Sequence, residues 1–190
     1  MLLLVGLGNP GSNSVNNRHN IGFKIIDAVN THFKLSKQKP KFKGLLTTGN
    51  IESKKIYAIK PLTFMNNSGT AIKELIDYFK IDAKDVFVFH DDMDIDFGKN
   101  KAKFGGGSAG HNGIDSIDKF IGKDYSRVRI GIGHPKQKNK VNNHVLEDFK
   151  EDEEEKIKEI AENIVKLIPT LIEKKIDLFS SKVNQNLNGI

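Results

Sequence analysis

His19, Asp91, His111 and three asparagines are the side chains of this 190-residue sequence best placed to do chemistry. Asn9 and His19 follow the apolar run Leu2–Val5. Asn66 follows the run Lys55–Ile59 and its exit Lys60–Met65. Asp91 ends the β-branched and aromatic run Asp85–His90, and His111-Asn112 closes the glycine-rich stretch that begins at Gly105. In open α/β sheets the ligand crevice lies at the carboxyl ends of strands, so these residues are expected to meet there. An Asp that accepts from one ring nitrogen of a His fixes the tautomer. It also supports the imidazolium that forms when the other nitrogen takes a proton. With no cysteine and no G-x-S-x-G elbow, the simplest nucleophile is a water activated by His19. General-base help of that kind contributes about 10²–10⁴-fold. Asparagine amides donate to a developing oxyanion or orient a substrate amide. The set suits hydrolysis of an activated acyl bond, such as an ester, better than phosphoryl transfer.

Plainer readings stand beside this one. A His at a helix start is often a cap, and Asp91 can simply end a strand. His90 with Asp91-Asp92-Met93-Asp94 offers metal-ligating residue types. Carboxylates on adjacent residues point in different directions, however, and no H-E-x-x-H spacing occurs, so no catalytic metal is expected. His32 and His134 read as structural or surface residues. Gly105–Gly110 is not a P-loop, because no Lys-Ser/Thr follows; it reads as a flexible lip of the crevice. Gly6-Leu7-Gly8-Asn9-Pro10-Gly11 matches G-x-G-x-x-G, which binds a dinucleotide only where a helix starts at the last glycine. Here Ser12–Arg18 intervenes, with three asparagines, two serines and no helical pattern. Pro10 also removes one N–H from the nest.

The elements that must position these residues alternate. Leu2–Val5 is a short buried strand, and a helix runs from Ile21 to about Phe33. Lys34–Lys43 is a basic linker or edge. Leu45–Gly49 and Lys55–Ile59 form a hairpin turning around Asn50–Lys54. Ala71–Tyr78 is helical, with Asn67 or Ser68 as its cap. Asp85–His90 is a central strand, Phe97–Phe104 a short strand or arm, Ile114–Ile121 a helix and Arg127–Gly133 a strand. Lys136–Asn143 is polar, basic and expected to be mobile. The pattern is helical from Val145, with Pro169 interrupting it and a loose tail after Ser180. This predicts an α/β fold: one domain over residues 1–190, a three-layer sandwich whose mixed, mostly parallel central sheet is flanked by helices, with a helical C-terminal part over about 145–182.

Composition narrows the partners. The chain is 37% hydrophobic and 28% charged, with no apolar run long enough for a membrane span. Met1–Val5 lacks the basic start and the length of a signal peptide, so a cytoplasmic location is expected. Residues 151–190 hold six Lys and nine Asp or Glu. The other 24 Lys or Arg and 15 Asp or Glu give residues 1–150 a net +9. A basic body of this kind points to an anionic partner, nucleic acid being the commonest.

Five ordered motifs carry a resemblance: Gly-Leu-Gly-Asn9-Pro-Gly with Arg18-His19-Asn20-Ile-Gly22, Lys60-Pro-Leu-Thr-Phe64-Met65-Asn66-Asn-Ser-Gly69, His90-Asp91-Asp92-Met93-Asp94, Gly-Gly-Ser-Ala-Gly-His111-Asn112-Gly113, and Arg129-Ile-Gly-Ile-Gly-His-Pro135. Together they resemble bacterial peptidyl-tRNA hydrolase. The resemblance implies hydrolysis of the ester joining a peptide to the tRNA 3′ end, with no cofactor and no metal. It implies His19 as general base and Asp91 as its orienting partner. Asn9 and Asn66 would hold the substrate and attacking water, and Met65 would line the site. Asn112, with His111 nearby, would contact the peptide or acceptor end, and Lys103 and Arg129 would clamp a tRNA phosphate. The sequence departs from the family at Ser14, often a tyrosine, and at Asn17, a threonine. A monomer is expected, since nothing demands a dimer. A non-catalytic RNA-binding relative on the same fold and a nucleotide-dependent enzyme are the competing readings.

Overall fold

A computed structural model describes residues 1–135 and 141–185. In chain order the elements are β1 (Leu2–Gly6), α1 (Ile21–His32), β2 (Lys39–Lys41), β3 (Gly44–Ile51), β4 (Lys54–Pro61), α2 (Ser68–Phe79), β5 (Val86–Asp92), β6 (Asn100–Phe104), α3 (Asn112–Ile121), β7 (Ser126–Gly131), a short α4 (Val141–His144), α5 (Glu151–Lys166), α6 (Ile168–Ile172) and α7 (Ile176–Gln185). The strands form one sheet in the order β2-β3-β4-β1-β5-β7-β6. β4, β1, β5 and β7 run parallel, and β3 and β6 run against their neighbours. The mixed, mostly parallel sheet expected from the sequence is therefore present.

Helices cover both faces, which is why Leu2–Val5 is apolar at every position rather than alternating. Leu2 and Leu4 pack with residues of α1, α5, α6 and α7. Leu3 and Val5 pack with residues of α2 and α3. The parallel centre brings the ends of β1, β4, β5 and β7 to one edge, and the polar residues follow those ends.

Four local expectations are corrected. The β3–β4 ladder continues to Ile51 paired with Lys54, so the turn is Glu52–Ser53 rather than Asn50–Lys54. Ile51 is buried and extends the ladder. Neither Asn67 nor Ser68 caps α2 with its side chain. A 3₁₀ turn, Met65–Asn67, runs straight into the helix, and the Ser68 N–H donates to the Met65 carbonyl instead. The chain is not helical from Val145. It turns at Val145–Leu146 and bends at Glu147, then reaches α5 through an isolated bridge at Asp148, and Val145 and Glu147 accept from the His19 and Arg18 N–H groups, partners that a helix would forgo. The tail after Ser180 is ordered as far as Gln185. Ser180 and Asn184 accept from the Ala102 and Asn100 N–H groups, closing the free edge of β6. Residues 136–140 of the expected mobile segment lie outside the described residues, and residues 141–143 belong to α4.

Candidate active site

The site is built around the end of β1. Gly6 and Gly22 bring β1 and the start of α1 into contact: a Cβ on Gly6 would lie 2.2 Å from the Gly22 carbonyl oxygen, and one on Gly22 would lie 2.4 Å from the Leu7 nitrogen. Gly8 lies under the Phe23 ring, where a Cβ would meet ring carbons at 2.8 Å. Gly6 and Gly8 therefore serve helix–strand packing. The segment after Gly11 is a 3₁₀ turn, Ser12–Ser14, with no helix starting at the last glycine.

Arg18-His19-Asn20 forms a buried 3₁₀ turn in which the two flanking residues hold the middle one. The Arg18 Nη2 donates to Glu153 of α5 at 2.7 Å, and its guanidinium lies over the Phe149 ring. The Asn20 side chain accepts from the Asn9 N–H at 2.8 Å and donates to the Asn9 carbonyl at 2.9 Å. The His19 N–H donates to the Val145 carbonyl at 2.8 Å, and the Asn17 amide donates to Asp148 at 2.8 Å. Residues 145–149 are thus strapped across the turn, fixing its backbone. His19 has no cap bond to α1, so its imidazole is free for other work.

That imidazole meets Asp91. The His19 Nδ1–H donates to Asp91 Oδ1 at 2.8 Å, both groups being buried. His19 lines the cleft, and its ring makes no side-chain hydrogen bond among the described residues other than this one. His111 supplies a second donor to the same oxygen, through Nε2–H at 2.9 Å. Its Nδ1 accepts from the Gly113 and Ile114 N–H groups, so His111 is also the N-cap of α3, and its tautomer is fixed. Burial opposes ionisation of Asp91, but the imidazoles of His111 and His19 outweigh it and hold the carboxyl well below the usual carboxylate range. His90 donates from Nδ1 to the Asp91 carbonyl at 2.8 Å. Burial first, and then His111, push its pKa well down, which keeps it neutral. His19, Asp91 and His111 also have metal-ligating types, with ligand atoms within 4.8 Å of one another. Both rings, however, spend a proton on the carboxylate, and metal binding would have to displace both.

The rest of the cleft is polar on one side. It measures about 330 Å³ and is lined by Asn9, His19, Met65, Asn66, Asp91, His111 and Asn112, every cleft residue expected from the sequence. The Asn9 Oδ1 accepts from the Met65 N–H at 2.9 Å, which turns its NH₂ group into the role of free donor. Asn66 and Asn112 are exposed. Ser108–Gly110, from the stretch read as a lip of the crevice, also line the cleft, as do Phe64, Val145 and Leu146, which were not singled out in the sequence. The strap residues Val145 and Leu146 left no sequence signal, since they occupy a stretch with helical patterning.

Lys103 and Arg129 do not line this cleft. They stand beside it on β6 and β7, tied in through Asp92, whose Oδ2 accepts from Arg129 Nε at 2.6 Å. The β6–β7 register sets Lys103 opposite Arg127 and Lys101 opposite Arg129, so all four basic residues rise from one face. Arg127 is spent on Asp118 at 2.7 Å and on the Gly107 carbonyl. Lys103 has no ion-pair partner among the described residues. Burial and the neighbouring Arg129 and Arg127 lower its pKa.

A family model described as peptidyl-tRNA hydrolase matches residues 3–189. The chain belongs to the peptidyl-tRNA hydrolase family. It is 72% identical over 184 residues to the peptidyl-tRNA hydrolase of Pelagibacter ubique, covering 97% of this chain and 99% of that one. It is 45% identical over 189 residues to the peptidyl-tRNA hydrolase of Bartonella henselae, covering 100% and 98%. The crystal structure of peptidyl-tRNA hydrolase from Acinetobacter baumannii superposes with a TM-score of 0.90 at 33% identity, covering 97% of this chain and 94% of that one. Family membership thus agrees with the resemblance carried by the five motifs. Of the two departures from the family pattern, Asn17 has a partner of its own in Asp148, and Ser14 lies outside the cleft lining.

Proposed function

We propose that this chain hydrolyses the ester between a peptide, or an N-blocked aminoacyl group, and tRNA, with His19 as general base. The observation that carries the reading is the His19–Asp91 hydrogen bond, which leaves the second ring nitrogen without a partner at the wall of a cleft rich in amide donors. A water near His19 Nε2 attacks the ester carbonyl carbon and gives its proton to the ring. Asp91, held ionised, supports the imidazolium. The Asn9 amide is the donor best fixed to meet the oxyanion, and Asn66 and Asn112 orient the substrate and the water. Collapse of the tetrahedral intermediate returns the proton from His19 to the departing ribose hydroxyl, freeing the tRNA. Met65 packs against the acyl side. His111 contacts the acceptor end and also holds Asp91. Lys103 and Arg129 take a tRNA phosphate, the free amines of Arg129 and the unpaired ammonium of Lys103 being the available donors.

Residues 1–190 are read as one functional unit working as a cytoplasmic monomer. Among the described residues no helix is long and apolar enough to cross a membrane. The test is release of an N-acetylated aminoacyl group from tRNA by wild type and by His19→Ala, with and without chelator. Fast release by wild type, lost in the variant and indifferent to chelator, is expected. Binding of tRNA without release by wild type would leave a non-catalytic RNA-binding protein.

A further inference from the structure

Arg127 is the largest fully buried side chain among the described residues, and no step of the hydrolysis uses it. It stands on β7, and its guanidinium forks. Nη2 donates to Asp118 of α3 at 2.7 Å, and Nη1 donates to the Gly107 carbonyl at 2.8 Å. The guanidinium carbon lies 4.6 Å from the Tyr125 ring centre, and the Tyr125 hydroxyl donates to the same Asp118 oxygen at 2.7 Å. Stability alone does not call for an arginine here. A buried ion pair adds little over apolar residues of similar volume, and Arg127 Nε has no hydrogen-bond partner among the described residues. What an apolar side chain could not do is hold Gly107.

The glycine-rich lip is short of other supports. It brings Ser108–Gly110 to the wall of the cleft, yet it has few side chains to pack. A Cβ on Gly107 or Gly110 would meet nothing within 4 Å. The Gly105 N–H donates to the Tyr125 carbonyl, and the Ser108 carbonyl accepts from the His111 N–H at the start of α3. Between those two points, the Arg127 bond is the one hydrogen bond among the described residues that ties the lip to the sheet. Lys103 rests on the same segment, since a Cβ on Gly106 would come 2.6 Å from its Nζ. The lip is thus a cleft wall at Ser108–Gly110 and a support for the Lys103 ammonium at Gly106.

We infer that Arg127 is a positioning residue for the ester hydrolysis: it pins the lip through Gly107, so that the cleft wall and the Lys103 ammonium keep their spacing. The inference rests on the esterase reading above. The planar fork is the feature that matters. A lysine keeps the charge opposite Asp118 but lacks the fork that reaches both partners.

The test uses the full chain and two variants. Arg127→Met combined with Asp118→Asn removes both buried charges and keeps an acceptor for the Tyr125 hydroxyl, so a Tm near that of wild type is expected. Arg127→Lys keeps the charge and decides alone if the first variant does not fold. In both, backbone amide relaxation is expected to show order parameters over residues 106–110 falling from about 0.85 to below about 0.6, with β7 and α3 unchanged. Release of an N-acetylated aminoacyl group from tRNA is expected to lose about 10–100-fold in kcat/KM, mostly through KM. The pH–rate profile is expected to keep its shape, because His19 and Asp91 are untouched. A loosened lip with wild-type kcat/KM would overturn the inference. So would lost activity with a rigid lip, since Arg127 would then act only through the packing of β7 on α3. Failure of wild type to cleave the ester would instead overturn the esterase reading, and the order parameters would still report whether Arg127 holds the lip.

Discussion

Asp91 accepts two imidazole N–H groups on one oxygen in a place nearly closed to water. An ionised carboxylate persists there because the two donors outweigh the cost of burial. Its removal is therefore an electrostatic change more than a packing one. Asp91→Asn keeps the volume, but the amide brings no charge to support a His19 imidazolium and can turn its NH₂ toward the rings. Turnover is expected to fall about 10²–10⁴-fold while KM for the tRNA ester changes little. Unchanged turnover would remove Asp91 from the mechanism. Because the Asp91 carboxyl titrates well below its usual range, loss of activity between about pH 5 and 8 reports a histidine instead. A pH–rate profile of kcat/KM checks this, and an acid limb that vanished in Asp91→Asn with the turnover intact would contradict it. The His19–Asp91 pairing was legible in the sequence, since both residues follow strand-like runs. The second donor was not: His111 reads as a loop residue until α3 is seen to start beside it and to need a cap.

At the scale of elements, α1 and α5 hold the His19 turn from opposite sides. Gly22 lies where α1 touches β1 and β5, and a Cβ there would stand 2.4 Å from the Leu7 nitrogen and the Phe89 carbonyl oxygen, both backbone. Nothing flexible can yield, so Gly22→Ala must push α1 off the sheet. A destabilisation of about 1–3 kcal/mol is expected, with a lower kcat because His19 moves with the helix start. A Tm equal to wild type would show that α1 does not pack so closely. From the other side, α5 reaches the turn through Glu153, whose carboxylate faces the buried Arg18 guanidinium. Burial works against the Glu153 charge, but the Arg18 hydrogen bond and the Lys150 N–H together lower its pKa. A lowered folded pKa contributes stability that is fully present above the unfolded value, near 4.3. That stability is lost as pH falls through the folded value. Glu153→Gln is expected to cost about 1–2 kcal/mol at pH 7, with the gap to wild type closing as the pH is taken from 5 to 3. A gap independent of pH would mean that Glu153 acts through shape alone. Acidic residues fill the first turn of α5, where the helix dipole favours them, but local pattern cannot tell which acid finds Arg18, because that depends on how the strap folds back.

The whole molecule separates its charge as it separates its tasks. The α/β alternation, the mixed sheet and the +9 body were legible because strand runs, helical spacing and composition are local properties of the chain. The strap at Val145–Phe149 and the closing of β6 by Ser180 and Asn184 were not, because each joins segments far apart in sequence. The pairing of β7 with β5 and of β6 with β7 places the basic face of β6 and β7 beside the cleft. A tRNA held there would release counterions from its phosphates, so binding weakens with salt in proportion to the contacts made. Lys103 carries an unpaired ammonium at that face, with Arg129 next to it. Lys103→Glu is therefore expected to raise KM for peptidyl-tRNA about tenfold and to make log(kcat/KM) fall less steeply with log salt, by about one phosphate contact. A short N-acetylaminoacyl ester of adenosine lacks that phosphate and should be cleaved by the variant nearly as fast as by wild type. Equal loss on both substrates would mean that the substitution disturbed the His19–Asp91 pair through Asp92. An unchanged salt slope on tRNA would place the phosphate clamp away from β6.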